Sequence, residues 1–330
     1  MPIIDELPVL PPDKNSILTI GVFDGVHIGH QYLLNRVVKA ATLSNVCSGV
    51  VTFKNHPAEI TNPEFKPNFL CNLEDRLTRL RNTGVDFVVP ITFDKTIADL
   101  DACKFLSILK DHLKMTGLVV GPDFRMGKNR SADVEQISEL SKTINFSLEI
   151  IGDQASKGIS FRSTTIRNLL REGNVSLVPN LLGNYFSITG KIIKGMERGR
   201  TLGVPTANVG YDENLVMPEN GIYATWARIG DKRFKAATSI GTNPTFSGNS
   251  LTVEAHLLDF SNSIYGRIIT LEFVDKLRPQ IAFDSENLNM AQASKILLAQ
   301  SSIIKFENEI LSIGPIKYKP DYLKGQLKKL

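Results

Sequence analysis

Apolar and polar positions follow two different patterns along this chain, and the change falls near Gly183. In the first half, apolar runs of strand length are followed by stretches whose apolar residues recur three and four apart. Residues 17–23, 47–53, 86–91, 117–121 and 146–151 read as strands. A helix is expected to begin near His27 or Ile28, with Leu33, Leu34, Val37, Val38 and Ala41 on its packed face. Further helices are expected over 74–81, with Leu73, Leu77 and Leu80 as the apolar stripe, and over 104–113. Such alternation predicts a mostly parallel sheet covered by helices on both faces, with polar chemistry at the C-terminal ends of the strands. After a helical segment through Arg171 and another over 175–182, the pattern shortens. Residues 185–193, 221–229, 234–240, 251–258 and 268–274 are short β-type pieces separated by Gly, Thr and Pro. Five or more strands at that spacing predict a sandwich or small barrel, finished by a helix within 285–311. The expected architecture is α/β followed by β, with domains 1–183 and 184–330.

Composition narrows the partners rather than the fold. With 330 residues, 42% hydrophobic and 22% charged, the chain is an ordinary globular one and long enough for two cores. Its 38 basic and 34 acidic residues leave a formal charge of +4, too little to argue for nucleic acid or an anionic membrane. Cys47, Cys71 and Cys103 are odd in number and lack the spacing of a zinc site or disulfide framework. No apolar run approaches membrane-spanning length and the first residues do not resemble a secretory leader. A cytoplasmic protein acting on small molecules is expected, with neither nucleic acid nor membrane as partner, as a monomer or weak homo-oligomer. The lysine-rich end beyond Gly314 reads as a solvated tail.

The richest chemistry lies where the first strand meets the first helix. Gly21-Val22-Phe23-Asp24-Gly25-Val26-His27-Ile28-Gly29-His30 puts glycines at a tight turn and two histidines three apart, on one side of a first helical turn. Free N–H groups at that helix end favour an anion, and phosphate is the obvious one. After the fourth expected strand, Gly121-Pro122-Asp123-Phe124-Arg125-Met126-Gly127-Lys128 offers two glycines and two cations; it is not a P-loop, since five residues separate the glycines and Asn129 follows the lysine. Ser163-Thr164-Thr165-Ile166-Arg167 opens another helix with hydroxyls at its cap and an arginine suited to phosphate oxygens.

In the second half, the run 195–208 contains Gly195, Gly199, Arg200 and Gly203 ahead of Pro205-Thr206-Ala207-Asn208. Read as a loop, it supplies a backbone cradle, cationic side chains and two neutral oxygen ligands of the kind magnesium takes when nucleotide phosphates supply the rest. In Leu251-Thr252-Val253-Glu254-Ala255-His256-Leu257, the period of two turns Glu254 away from the apolar face, with Thr252 and His256. A carboxylate there can accept a proton from an attacking hydroxyl.

Taken in order, these motifs resemble the prokaryotic bifunctional riboflavin kinase and FAD synthetase family over nearly the whole chain. The H-x-G-H stretch, Thr52-Phe53-x-x-His56-Pro57, Gly121-x-Asp123-Phe124-Arg125-x-Gly127 and Ser163-Thr164-x-Ile166-Arg167 are similar to its adenylyltransferase half. Pro205-Thr206-Ala207-Asn208, Gly241-x-Asn243-Pro244-Thr245-Phe246, Val253-Glu254-Ala255-His256 and Tyr265-Gly266 are similar to its kinase half. The resemblance implies a Rossmann-like nucleotidyltransferase domain and a small barrel kinase domain. It implies that riboflavin is phosphorylated by MgATP to FMN, and that FMN is adenylylated by a second ATP to FAD with release of pyrophosphate.

For the residues, the resemblance implies Glu254 as base for the riboflavin hydroxyl, Thr206 and Asn208 as magnesium ligands, and His27, His30 and Arg167 as stabilisers of the triphosphate. Nucleotide contacts would come from Gly21, Phe23, Asp24, Gly29, Asp123, Arg125, Ser163, Thr164, Gly195, Gly199, Arg200 and Gly203. Flavin contacts would come from His56, Pro57, Asn243 and Arg278. Departures from the family pattern are Asn55 for a proline before His-Pro, Arg162 for the first of two serines, Met126 for an aromatic, Val204 for a Phe, and no Asp one turn after Gln292. Two other readings compete: nucleotidyl transfer to a different phosphorylated acceptor, and a flavin-binding regulator without catalysis.

Overall fold

The computed structural model describes residues 2–8, 14–152, 162–193, 206–245, 248–260, 262 and 264–279. The helix expected within 285–311 lies outside them. The chain forms two compact units, Met1–Pro67 with Leu73–Arg162, and Asn68–Asn72 with Ser163–Leu330.

The first unit holds five parallel strands, β1 (Ser16–Ile20), β2 (Cys47–Phe53), β3 (Phe87–Ile91), β4 (Met115–Val120) and β5 (Ser147–Ile150), in the order β3-β2-β1-β4-β5. The helices are α1 (Pro2–Glu6), α2 (Ile28–Ser44), α3 (Ala58–Thr61), α4 (Leu73–Arg81), α5 (Lys95–Ala98), α6 (Ala102–Leu113) and α7 (Val134–Ile144). All five residues of β1 are buried because both faces of the sheet are covered. Ile17 packs with Val37 and Ala41 of α2 on one face, while Leu18 and Ile20 pack with Phe105, Leu106 and Leu109 of α6 on the other. The chain runs outward from β1 to β3, then returns to place β4 on the far side of β1. That reversal opens the crevice where sheets of this class hold ligands, beyond the C-terminal ends of β1 and β4.

The second unit begins with α8 (Ser163–Arg171) and α9 (Pro179–Leu182), then β6 (Ser187–Ile193), β7 (Ala207–Gly210), β8 (Gly221–Ile229), β9 (Lys232–Thr245), β10 (Gly248–Leu257) and β11 (Ile268–Pro279). The six strands close into an antiparallel barrel in the order β10-β7-β6-β11-β8-β9. Closure removes exposed sheet edges. At one crossing β6 and β7 approach so closely that a Cβ on Gly190 would lie 1.7 Å from the Gly210 carbonyl oxygen, so only glycine fits.

Several elements depart from the sequence expectation: β1 stops at Ile20 rather than at residue 23, the short helices α1, α3 and α5 had no counterpart in the pattern, and β7 and α7 are two further cases. Residues 207–210 form β7, of which Ala207 and Asn208 were expected at the end of a loop; four residues carrying a glycine and an asparagine give little periodic signal, and pairing with β6 and β10 makes the strand. Residues 134–144 form α7 where no element was expected. Its N-terminus is fixed by a capping box between Asp133 and Gln136, and only Ile137 and Ser141 are buried.

Candidate active sites

β1 ends in a turn with unusual backbone. Phe23 and Val26 both adopt left-handed conformations, φ 52° and 49°, and Gly25 sits at φ 75°. A β-branched residue at positive φ is costly, so the turn is held by its surroundings. The holding groups are visible: the Val22 carbonyl accepts from Thr52 Oγ1 at 3.2 Å and from Arg76 Nη1 at 3.2 Å. Arg76 is buried and also donates through Nη2 to the carbonyls of Phe53, at 2.7 Å, and Lys54, at 3.3 Å. One guanidinium of α4 thus ties the ends of β1 and β2 together. Within 74–81, read from sequence as a charged helix, nothing singled this arginine out.

The turn delivers His27 as the N-cap of α2, as its position suggested. Its Nδ1 accepts the His30 backbone N–H at 3.3 Å, which leaves the neutral ring's proton on Nε2. The two imidazoles stack with centroids 3.6 Å apart, and Phe23 meets His30 edge-on at 5.3 Å. Enclosure, and next the adjacent His27, hold the His30 pKa well below the usual histidine value, so it is neutral at pH 7. Its Nδ1 is buried and has no hydrogen-bond partner among the described residues. Asp24 is buried in the same turn, and Gly29 lies in the first turn of α2. A Cβ on Gly21 would press on the Phe23 ring at 3.1 Å.

The neighbouring strand ends carry the other expected residues of this unit. After β2, the His56 ring stacks on Phe65 with centroids 4.6 Å apart. Its Nδ1 accepts from the Ala58 N–H at 3.1 Å, so Nε2 again carries the proton of the neutral ring. Pro57 is the N-cap position of the short helix α3. After β4, Asp123 and Arg125 are exposed, and Arg125 reaches Asp133 at 3.9 Å. Ser163 and Thr164 open α8, while Arg167 is half-buried and donates through Nε to the Asn68 carbonyl at 2.6 Å. These three residues belong to the second unit.

On the barrel, Asn208 of β7 stands directly opposite Glu254 of β10 in antiparallel register. Ala207, Val209, Val253 and Ala255 around them are buried, so Asn208 and Glu254 share the outer face, both half-buried. Thr206, two residues before Asn208, is also half-buried. A groove of about 580 Å³ runs beside the pair, lined by Asn208, Tyr211, Met217, Leu251 and Thr252 among others. Asn243 lies in β9 opposite Ser250, its side chain outside the described residues. Arg278 is half-buried in β11, where burial lowers its pKa. Gly195, Gly199, Arg200 and Gly203 lie outside the described residues. Among those described, no cluster of three or more His, Cys, Asp or Glu can hold a metal, and no helix is long and apolar enough to cross a membrane.

The arrangement is a parallel sheet with a histidine pair at its first crossover, followed by a closed barrel with an opposed carboxylate and amide on its outer face, and known proteins identify its class. The family model for FAD synthetase matches residues 10–165, and that for riboflavin kinase matches residues 182–295. A bifunctional riboflavin kinase/FMN adenylyltransferase of Escherichia coli is 35% identical over 286 residues, covering 86% of this chain and 91% of the relative. The protein of the same description from Haemophilus influenzae is 35% identical, covering 82% and 89%. A crystal structure described as a macrolide-efflux protein from Streptococcus pneumoniae superposes with a TM-score of 0.82 at 26% identity, covering 91% of this chain and 97% of that one. The chain belongs to the bifunctional riboflavin kinase/FMN adenylyltransferase family.

Proposed function

We propose that this protein makes FAD from riboflavin in two ATP-dependent reactions at separate sites. The observation that carries the reading is that its two sets of reactive side chains belong to different compact units: His27 and His30 beyond β1, Asn208 and Glu254 on the barrel.

In the barrel, Glu254 accepts the proton of the riboflavin 5′-hydroxyl as its oxygen attacks the γ-phosphorus of ATP, giving FMN and ADP. Thr206 and Asn208 offer two neutral oxygens on the side of the barrel that carries Glu254. That sparse donor set fits magnesium, which keeps most of its sites for phosphate and water. Magnesium, when bound, would neutralise charge on the phosphates. Asn208 and Thr206 then orient the phosphates within reach of the base, beside a groove of about 580 Å³.

In the first unit, a phosphate oxygen of FMN attacks the α-phosphorus of a second ATP and pyrophosphate leaves. No proton need be taken from the attacking group, so the task is positioning and charge stabilisation. The His27 ring, with Nδ1 already accepting from the His30 N–H, offers Nε2–H as a donor to a phosphate oxygen, and His30 holds a buried ring nitrogen that lacks a partner among the described residues. The N–H groups of the first turn of α2 add to the same field. His56, whose Nδ1 accepts from the Ala58 N–H and whose ring stacks on Phe65, is assigned to FMN. Three free cysteines suit the cytoplasm as the compartment.

The test is a time course: purified protein, riboflavin, ATP and magnesium, with flavins separated by chromatography. FMN is expected first and FAD after it. Pyrophosphate release with a different acceptor, and none with FMN, would overturn the assignment.

A further inference from the structure

Just beyond the end of β2, the side chain of Asn55 takes over the pairing with the neighbouring segment. The parallel ladder of β2 and β3 ends at Phe53 and Ile91. The Lys54 N–H then donates to the Ile91 carbonyl at 2.8 Å. One residue further on, the Asn55 side chain continues the ladder. Its Nδ2 donates to the Phe93 carbonyl at 2.9 Å and its Oδ1 accepts the Phe93 N–H at 2.9 Å. These two bonds close a ring like that of paired backbone amides. The Phe93 side is itself fixed, since its ring meets Phe53 edge-on at 5.3 Å. From Asn55 the chain passes directly into His56, whose ring is held on its far side by Phe65 and the Ala58 N–H. His56 therefore sits between two anchors, and Asn55 is the upstream one.

We propose that Asn55 is a positioning residue for adenylyl transfer: by clamping the backbone of Phe93 it fixes the segment that carries His56, and through His56 it sets the affinity for FMN. The proposal rests on the assignment of His56 to FMN. A misplaced binding side chain costs affinity in the ground and transition states alike, so the effect falls on KM rather than kcat.

The experiment measures FAD formation from FMN and ATP by the full chain and by Asn55→Ala, Asn55→Asp, His56→Ala and the double variant Asn55→Ala/His56→Ala. Riboflavin phosphorylation in each preparation reports on the integrity of the barrel. Asn55→Ala is expected to raise the KM for FMN about tenfold, with kcat within about twofold and the KM for ATP unchanged. Asn55→Asp keeps the acceptor for the Phe93 N–H and should fall between. The double variant should be no worse than His56→Ala, because Asn55 acts through His56. An unchanged KM in Asn55→Ala, a loss confined to kcat, or effects that multiply in the double variant would overturn the proposal. Complete loss of adenylyl transfer in Asn55→Ala beside normal Asn55→Asp would mark a folding role instead and overturn it equally. If His56→Ala leaves the KM for FMN untouched, it is the assignment of His56 that fails.

Discussion

Asn208 and Glu254 face each other across the β7–β10 ladder as a directly opposed pair on the outer side of the barrel. Side chains so paired lie about 5 Å apart at Cβ, close enough for one phosphate-bearing ligand to meet both. The pairing ties the amide that would orient the nucleotide phosphates to the carboxylate that would take the hydroxyl proton.

Asn208→Ala removes one of the two neutral oxygens. Riboflavin phosphorylation should then need about tenfold or more magnesium for half-maximal rate, while FAD formation from supplied FMN keeps its magnesium dependence. Magnesium titrations of the two reactions check this; an unchanged kinase titration removes Asn208 from the metal site.

His30→Ala should slow adenylyl transfer by a factor of about 100 or more, the cost of losing a placed group from a charge-stabilising site. The variant is expected to accumulate FMN from riboflavin, read by chromatography. FAD output at the normal rate would exclude His30 from the mechanism.

The same histidine makes stability depend on pH. Its pKa in the folded protein lies well below the ordinary 6.5. Between those two values the unfolded chain binds a proton that the native chain does not, so stability rises with pH there. The contribution is complete above the unfolded pKa and is lost as pH falls toward the folded one. Urea titrations at about pH 7.5 and pH 5.5 should show a larger drop in the wild type than in His30→Gln, which has no such proton to exclude. Equal drops would contradict the assignment.

Arg76→Met removes the buried donor to the carbonyls of Phe53 and Lys54 and leaves the Val22 carbonyl only Thr52 Oγ1. The loss should destabilise the first unit by about 3 kcal/mol and release the strained turn at Phe23 and Val26. Adenylyl transfer is expected to fall with it while riboflavin phosphorylation persists. Urea unfolding followed by far-UV circular dichroism, together with both assays, measures the two effects.

Much of this was legible in the sequence because the signals are local. The run from Ile17 to Ile20 is mostly apolar because both sheet faces are covered, although the strand stops there and Gly21 to Phe23, read as its continuation, form the turn. His27 was placed at the start of α2 by the turn before it and the helical spacing after it. The period of two in 251–257 turned Glu254 to the outer face, where the barrel carries it. What escaped depends on distant partners. β7 exists because β6 and β10 flank it. Arg76 is one of several charged residues in α4, and only the fold reveals that three carbonyls at and just past the ends of β1 and β2 converge on it. Asn55 was visible as a departure from the family pattern, but its bonds to Phe93 arise from strand pairing that no local pattern encodes.

The central claim is that two chemistries occupy two independent sites, and Glu254→Gln tests it most directly. The substitution keeps the shape of the side chain and removes the base. Given riboflavin, ATP and magnesium, the variant should form neither FMN nor FAD; given FMN in place of riboflavin, it should form FAD at the wild-type rate. Loss of FAD formation from FMN as well would contradict separate sites, and FMN formation at the normal rate would contradict the role of Glu254.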